Sequence, residues 1–307
     1  MRITIVGAGA MGSLFGGMLS RVADVCLLDP WTEHVATIQR KGLRVGEASG
    51  EWRVKPRATT DQSEVGPTDL AIILVKSHRT EWACETARDF LKPDGLALTL
   101  QNGLGNRAVI ARILGEQRAW QGTTSQGAML LGPGRIWHAG KGPTHMECRP
   151  EIESRIQEIR NLFRHAGVDT HISSDLNSLL WGKLVINAGI NAVTALLRVK
   201  NSVLSDLDGP RALMEQAVDE AARVANAKGI VLPYENPQQR VREVAVATGE
   251  NRSSMLADVL RGSPTEVDVI NGAIVREARQ LGIPTPMNEA LVAMVKAVED
   301  SYTLRIS

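Results

Sequence analysis

Neither sign of charge dominates this chain. Over 307 residues, 35 lysines and arginines stand against 34 aspartates and glutamates, leaving a formal net charge of +1. Nothing in that balance points to nucleic acid or a membrane surface as a partner. Cysteine is sparse: Cys26, Cys84 and Cys148 are widely spaced with no CxxC pair. Such a set argues against a disulfide framework and suits a reducing compartment. The six histidines, His34, His78, His138, His145, His165 and His171, show no HxxxH or HExxH spacing, so no zinc site is expected. An uninterrupted apolar run of about 18 residues is also missing, and no membrane span is expected. Strand-like residues begin at Arg2, where a charged leader would sit, so no signal peptide is expected either. Internal repeats and low-complexity stretches are absent. What remains has 43% hydrophobic and 22% charged residues, an ordinary globular composition on a chain long enough for two domains. These exclusions leave a cytoplasmic enzyme or a cytoplasmic binding protein.

Short apolar runs alternate with helical patterns through the first ~170 residues. The runs are Ile3–Val6, Val25–Leu28, Leu70–Val75 and Leu96–Leu100. Each is β-branched or leucine-rich and gives way to turn or polar residues, as a parallel sheet buried on both faces requires. Helix candidates lie between and after them at Ala10–Ser20, Glu33–Lys41, Thr80–Leu91 and Leu104–Leu114. This alternation predicts a doubly wound α/β domain. From Gln126 to Glu147 the texture turns to glycine-punctuated, strand-like pieces, read as antiparallel additions at the sheet's edge. After Asp175 the strands stop. Helical patterns follow at Leu176–Arg198, Pro210–Lys228, Pro237–Thr248 and Pro264–Leu281, with Gly229 and Gly282 placed to end helices. The expected fold class is therefore α/β, an N-terminal Rossmann-type doubly wound sheet followed by an all-helical domain. The division is 1–172 for a dinucleotide-binding domain and 173–307 for a helical substrate and catalytic domain.

The nucleotide assignment rests on Gly7-Ala8-Gly9-Ala10-Met11-Gly12, directly after the first strand and before the first helix. A pyrophosphate needs close approach of backbone N–H groups, and a helix N-terminus offers unpaired ones with a favourable dipole. Gly7 permits the tight turn, Gly9 leaves room for phosphates, and Gly12 lets helix and strand pack closely. A glycine-rich turn without ligand is the plain alternative. Asp29 follows at the end of the second strand, about 20 residues on, at the ribose-binding position of such folds. A carboxylate there accepts from the ribose hydroxyls of NAD and repels the 2′-phosphate of NADP. No arginine follows; Trp31 and Thr32 are the next side chains within reach. The residues themselves therefore favour NAD(H), unless Asp29 instead caps the helix starting near Thr32.

A second constellation runs from Trp181 to Asn191. Lys183, Asn187 and Asn191 are spaced i, i+4, i+8 and share one helix face. The residues between are almost wholly apolar, so the helix is expected to be buried. Burying a lysine and two amides costs several kcal/mol unless each finds a partner, and a substrate with a carboxylate and a carbonyl would supply them. An amphipathic helix with its polar stripe in water is the competing reading. Further on, Ser263, Pro264 and Glu266 have the spacing of a capping box, and the paired serines Ser253-Ser254 could be a helix start.

Taken together these residues resemble the ketopantoate reductase family (2-dehydropantoate 2-reductases) along nearly the whole chain. The resemblance is carried by GAGAMG at Gly7–Gly12, LVK ending at Lys76, QNGLGN at Gln101–Asn106, WGKLVINAGIN at Trp181–Asn191, NRSSM at Asn251–Met255 and TEVDVINGAIV at Thr265–Val275. It implies an oxidoreductase that reduces 2-dehydropantoate to pantoate, a step of pantothenate biosynthesis. By resemblance Lys183 is the general acid, Asn187, Asn191, Asn201 and Ser254 hold the 2-keto acid, and Asn102 touches both substrate and cofactor. Cofactor contacts fall on Gly7, Ala8, Gly9, Ala10, Met11, Gly12, Asp29, Lys76, Asn102, Ala128 and Glu266, which overturns the purely structural reading of Glu266. Members generally use NADPH, so the resemblance favours NADP(H), while Asp29 leaves NAD(H) open. A paralogue acting on another branched 2-keto acid, or a dinucleotide-sensing regulator without turnover, are the rival functions. The expected partner is a small 2-keto acid, with no metal, nucleic acid or membrane, and the apolar helical half is compatible with a homodimer.

Overall fold

The structure is a computed structural model that describes residues 1–304. In chain order its strands are β1 (Arg2–Val6), β2 (Asp24–Leu28), β3 (Leu43–Glu47), β4 (Gly50–Val54), β5 (Arg57–Thr59), β6 (Thr68–Ile73), β7 (Leu91–Thr99), β8 (Ala119–Thr124), β9 (Gly127–Gly132), β10 (Arg135–Gly140), β11 (Thr144–Glu147) and β12 (Thr170–Ser173). Eight of them form one sheet in the order β12-β11-β8-β7-β6-β1-β2-β5. Every neighbouring pair is parallel except β8 and β11. The apolar runs become inner strands because both faces are covered. Ile3, Ile5, Leu27, Leu70, Ile72 and Leu98 feed the core on one face. Val6, Cys26, Leu28, Ala71, Ile73 and Ala97 feed the core on the other. The period of two thus divides each run between two cores.

Helices α1 (Ala10–Leu19), α2 (Thr32–Lys41), α3 (Thr80–Arg88), α4 (Asn106–Leu114) and α5 (Glu153–His165) accompany this sheet. Around β1 the order is that of a doubly wound dinucleotide fold: β2 and β5 lie on one side, β6, β7 and β8 on the other. The switch in direction falls between β1 and β6, beside the turn that carries Gly7.

The segment from Gln126 to Glu147 departs from the expected edge addition. Only β11 joins the main sheet antiparallel, against β8. The β9–β10 hairpin instead forms a separate four-stranded sheet, ordered β4-β3-β10-β9, in which β10 runs parallel to β3. Packing over α1 explains the difference. A Cβ on Gly16 would come within 2.2 Å of Leu27 in the main sheet, and one on Gly17 within 3.1 Å of Leu43 in the small sheet. Helix α1 is therefore enclosed from both sides, and its glycines permit that approach.

Contacts divide the chain into two compact units: Met1–Gln101 with Asn106–Leu176, and Asn102–Gly105 with the chain from Asn177 on. The second contains α6 (Leu176–Leu197), α7 (Val203–Asp206), α8 (Asp208–Ala227), α9 (Pro237–Ala247), α10 (Ser254–Leu260), α11 (Asn271–Gln280) and α12 (Pro286–Asp300). By length and composition α6 could cross a membrane, but 78% of its most apolar stretch is buried inside the protein. It is the core of this unit: Trp181, Leu184, Val185, Ala188 and Val193 pack among Val218, Ala221, Met255 and Ile274. Neighbouring helices are tied in by polar bonds. Asn271 Nδ2 donates to the Ala188 carbonyl at 3.0 Å, and Glu220 on α8 accepts from the N–H groups of Met287 and Asn288, capping α12 from outside.

One expected helix is shorter than its pattern. Residues 264–270 are irregular with a 3-10 turn at Val267–Val269, and α11 begins only at Asn271. The proposed capping box of Ser263, Pro264 and Glu266 does not form, and Glu266 makes no cap bond. The Thr265 N–H donates to Glu299 Oε1 instead, and Thr265 Oγ1 accepts from Val267 N–H. Local side-chain bonding here outcompetes the helix. The helix expected from Leu104 likewise starts at Asn106, because Leu104 N–H donates to the Val269 carbonyl at 3.0 Å. A Cβ on Gly103, whose φ is +81, would lie 2.3 Å from that same oxygen.

Candidate functional site

The glycine loop of the first unit leaves β1, turns against β6 and enters α1. Gly7 has φ +95, and a Cβ there would strike the Val75 backbone nitrogen at 2.8 Å. A Cβ on Gly12 would lie 1.8 Å from the Gly7 carbonyl oxygen, so only glycine lets the helix start this close to the strand. Gly9 is different: no described atom lies within 4 Å of its Cβ position. As N-cap of α1, Gly9 contributes no side-chain bond to the first turn, and the early N–H groups keep their capacity for an anion. The three glycines thus do what a dinucleotide loop requires: two close the protein onto itself and the third leaves space outside it. A pyrophosphate fits this cradle by its charge and by the room at Gly9.

Asp29, at the end of β2, is drawn into the same loop. Its Oδ2 accepts from the Ala8 N–H at 2.7 Å and its Oδ1 from the Trp31 N–H at 2.9 Å. The alternative in which it caps α2 does not hold, since the N-cap is Trp31 and lacks a side-chain cap bond. Lys76 follows β6 at the start of a short 3-10 turn, Ser77–Arg79, on the carboxyl edge of the sheet where such folds place ligands. Ala128 comes shortly after β8, on β9, its side chain partly packed on the core.

A residue the sequence reading left without a role, Gln101, organises this edge. Its Nε2 donates to the Val75 carbonyl at 2.7 Å and to Thr80 Oγ1 at 2.9 Å, and its Oε1 accepts from Thr99 Oγ1 at 2.8 Å. All its amide atoms are used, and the carboxyl ends of β6 and β7 are held together. Its sequence signals were its place at the end of an apolar run and at the head of QNGLGN, neither of which gave it this role.

In the second unit α6 presents Lys183, Asn187 and Asn191 along one face. Asn191 is buried, while Lys183 and Asn187 keep partial exposure. The stripe is therefore not the solvated face of an amphipathic helix. Burial pushes the Lys183 ammonium well below its ordinary range, down to about 8, against the opposing pull of the Glu266 carboxylate. Glu266 is itself buried, at 7% exposure. The chain brings them together through the irregular 264–270 segment, the one where the expected helix fails. The same segment anchors the Asn102–Gly105 loop at Val269, so Asn102 belongs with the helical unit rather than with the strands that flank it.

Ser253 and Ser254 divide their tasks. Ser253 caps α10, its Oγ accepting from the Leu256 N–H at 3.0 Å and from Thr194 Oγ1 at 2.7 Å. Ser254, one residue on, is exposed and not used in that cap. The Thr194 bond fastens the start of α10 to α6. Asn201 joins the same segment: its N–H donates to the Asn251 carbonyl at 3.2 Å, and its Nδ2 to Thr248 Oγ1 at 2.9 Å. Its Oδ1 is buried without a hydrogen-bond partner among the described residues, an acceptor a bound hydroxyl could satisfy. Among the described residues no cluster of three or more metal-ligating side chains occurs.

Two family models match the chain: ketopantoate reductase PanE/ApbA over residues 3–151 and the ketopantoate reductase PanE/ApbA C-terminal model over residues 175–299. A 2-dehydropantoate 2-reductase of Halobacterium salinarum is 37% identical over 303 residues, covering 97% of this chain and 99% of that protein. The crystal structure of a PanE/ApbA family ketopantoate reductase from Ralstonia eutropha superposes with a TM-score of 0.90 at 34% identity, covering 98% and 99% of the two chains. D-mandelate dehydrogenase, in a ternary structure with NADH and anilino(oxo)acetate, matches at a TM-score of 0.90 and 29% identity over 99% of this chain and 100% of that one.

Proposed function

The chain belongs to the ketopantoate reductase family, and we propose that it reduces 2-dehydropantoate to pantoate with a nicotinamide dinucleotide as hydride donor. The observation that carries the reading is Lys183, a desolvated lysine beside the Glu266 carboxylate on a largely apolar helix whose polar stripe it shares with Asn187 and Asn191. A sensor that never turns over would have no use for a proton donor tuned in this way.

In the first unit Gly7, Ala8, Gly9, Ala10, Met11 and Gly12 would hold the dinucleotide, with Asp29, Lys76 and Ala128 as further contacts; the family also implies cofactor contacts for Asn102 and Glu266, which belong to the second unit. When bound, the reduced dinucleotide supplies the hydride that adds to C2 of the keto acid. Lys183 donates a hydrogen bond to the carbonyl oxygen as its π electrons withdraw onto it, and then gives that oxygen a proton. The resulting neutral amine regains a proton from solvent. Asn187, Asn191, Asn201 and Ser254 hold the carboxylate and hydroxyl ends, so the reacting carbon keeps one orientation.

For the cofactor, the Asp29 carboxylate, fixed by the Ala8 N–H of the glycine loop and by the Trp31 N–H, supports NADH over NADPH. A negative charge held there accepts from ribose hydroxyls and opposes a 2′-phosphate. NADH should be used at least as well as NADPH, and Asp29→Ala should shift the ratio of the two kcat/KM values toward NADPH by about tenfold, equivalent to ~1.4 kcal/mol. Both cofactors weaken in that variant, because Ala8 and Trp31 lose their acceptor, so the ratio is the quantity to read. A strong wild-type preference for NADPH would contradict the assignment.

The function is tested by loss of dinucleotide absorbance with 2-dehydropantoate, a smaller branched 2-keto acid and an aromatic one, each with NADH and NADPH. Highest kcat/KM on 2-dehydropantoate is expected. Preference for another acid would make the chain a paralogue, and no turnover with any acid would make it a sensor.

A further inference from the structure

His34 is the histidine most deeply buried in the first unit, at 0% exposure, and it lies on α2 with its ring reaching toward the glycine loop. The Gly134 N–H, from the turn between β9 and β10, donates to its Nδ1 at 3.0 Å. The ring proton is thereby placed on Nε2, which faces Ser13 Oγ at 3.1 Å. Ser13 Oγ in turn donates to the Ala8 carbonyl at 2.7 Å. Nδ1 accepts, Nε2–H donates, and Ser13 Oγ accepts from the ring while giving its own proton to Ala8, so the direction of every bond is fixed. Trp31 stacks over the imidazole with ring centroids 5.0 Å apart and planes 13° from parallel, closing it from solvent. Burial lowers the pKa of His34, against the pull of Asp29, which keeps the ring neutral with one donor and one acceptor.

We propose that His34, acting through Ser13, is a positioning residue for the dinucleotide: it pins the Ala8 carbonyl inward so that the Gly9 N–H points out to the phosphates. This rests on the reading of the first unit as a dinucleotide site. In a trans peptide the C=O and the following N–H point in opposite directions. Anchoring the Ala8 oxygen to Ser13 therefore aims the Gly9 N–H at the open side, where the Gly9 Cβ position has no described neighbour within 4 Å. The anchor is needed because glycines stand on both sides of Ala8 and permit the peptide between Ala8 and Gly9 to rotate. Asp29 secures the preceding peptide through the Ala8 N–H at 2.7 Å. Both peptides of Ala8 are thus held, one by the carboxylate that faces the ribose and one by the histidine relay.

The test is NADH binding, followed by fluorescence titration, in the intact protein and in Ser13→Ala, His34→Leu, the double variant and His34→Gln. Removing a buried hydrogen bond of this kind weakens its function by about five- to tenfold. Ser13→Ala and His34→Leu should each raise the NADH Kd by that factor, with kcat at saturating NADH within about twofold of the parent. The double variant should bind no more weakly than the weaker single, because both act on one relay. His34→Gln, which restores a donor and an acceptor, should recover part of the affinity. If His34→Leu fails to fold, Ser13→Ala removes the same contact by deleting one oxygen. Variants that melt earlier but keep the parental NADH Kd would overturn the inference and leave the relay a structural feature. Absence of NADH and NADPH binding by the parent would instead overturn the dinucleotide reading beneath it.

Discussion

Replacing Lys183 by alanine should lower kcat by at least about 10²-fold while leaving dinucleotide affinity nearly unchanged. General acid catalysis contributes about 10²–10⁴-fold, and a lost oxyanion donor costs about 10²–10³-fold. The substitution removes both, since one ammonium supplies the proton and the charge facing the developing oxyanion. The fall should not reflect unfolding. Burial holds the Lys183 pKa near 8 against an ordinary 10.5, so below about pH 8 the folded chain carries a charged, poorly solvated lysine. That penalty is full below pH 8 and relieved as pH rises toward 10.5, where the folded state has already released the proton. Lys183→Met should accordingly melt no earlier than the parent at pH 7. The same pKa sets the activity profile. Only the protonated amine is an acid, so kcat/KM for reduction should fall as pH rises through about 8. Glu266→Gln removes the carboxylate that opposes desolvation, and the alkaline fall should then begin at lower pH. Asn187→Ala should act mainly on KM, if the amide binds ground and transition state alike. A Lys183→Ala enzyme with near-normal kcat would move the acid elsewhere, and an unshifted profile in Glu266→Gln would separate that carboxylate from the lysine.

What the sequence disclosed and what it hid follow from the range of the forces involved. The apolar runs that became β1, β2, β6 and β7 were legible because strands buried on both faces need uninterrupted hydrophobic residues. The i, i+4, i+8 stripe on α6 was legible because helical periodicity is a local property. The small sheet was not, since β3 and β10 lie far apart in sequence, and its close packing on α1 at Gly17 is a tertiary contact. The failed helix at Pro264 was hidden for a similar reason. Its capping-box spacing is correct, but the Thr265 N–H is taken by Glu299 at a separation of 34 residues. The same irregular segment carries the buried Glu266, whose carboxylate acts on Lys183. The local pattern was therefore misleading at the place where the candidate site is assembled, as expected where local preference yields to a functional arrangement. His34 was invisible for a different reason: its partners Gly134 and Ser13 are ordinary residues, and only tertiary contact gives the histidine a role.

Gly9→Val should abolish dinucleotide binding while leaving the fold intact, a separation that the other two loop glycines cannot give. Gly12 has no room for a side chain, with the Gly7 carbonyl oxygen 1.8 Å from its Cβ position. Gly7 adds a φ of +95 to its clash with Val75, so substitution at either position deforms the protein itself. At Gly9 φ is −62, an angle open to any residue, and no described atom stands within 4 Å of the Cβ position. The protein should accept the new side chain at the small cost of a poor N-cap, about 1 kcal/mol. The bound pyrophosphate would not accept it, because a branched side chain fills the space through which phosphate oxygens approach the α1 N–H groups. Circular dichroism should show near-parental helix content, and the melting temperature should fall by only a few degrees. NADH and NADPH titrations should show affinity reduced at least about 10²-fold for both, since the pyrophosphate is common to them. Gly9→Ala, with a methyl group alone, should fall between Gly9→Val and the parent. If Gly9→Val retained parental affinity with a normal spectrum, the open face of the loop would not be where phosphates lie. The dinucleotide would then have to be sought away from the carboxyl ends of β1 and β6.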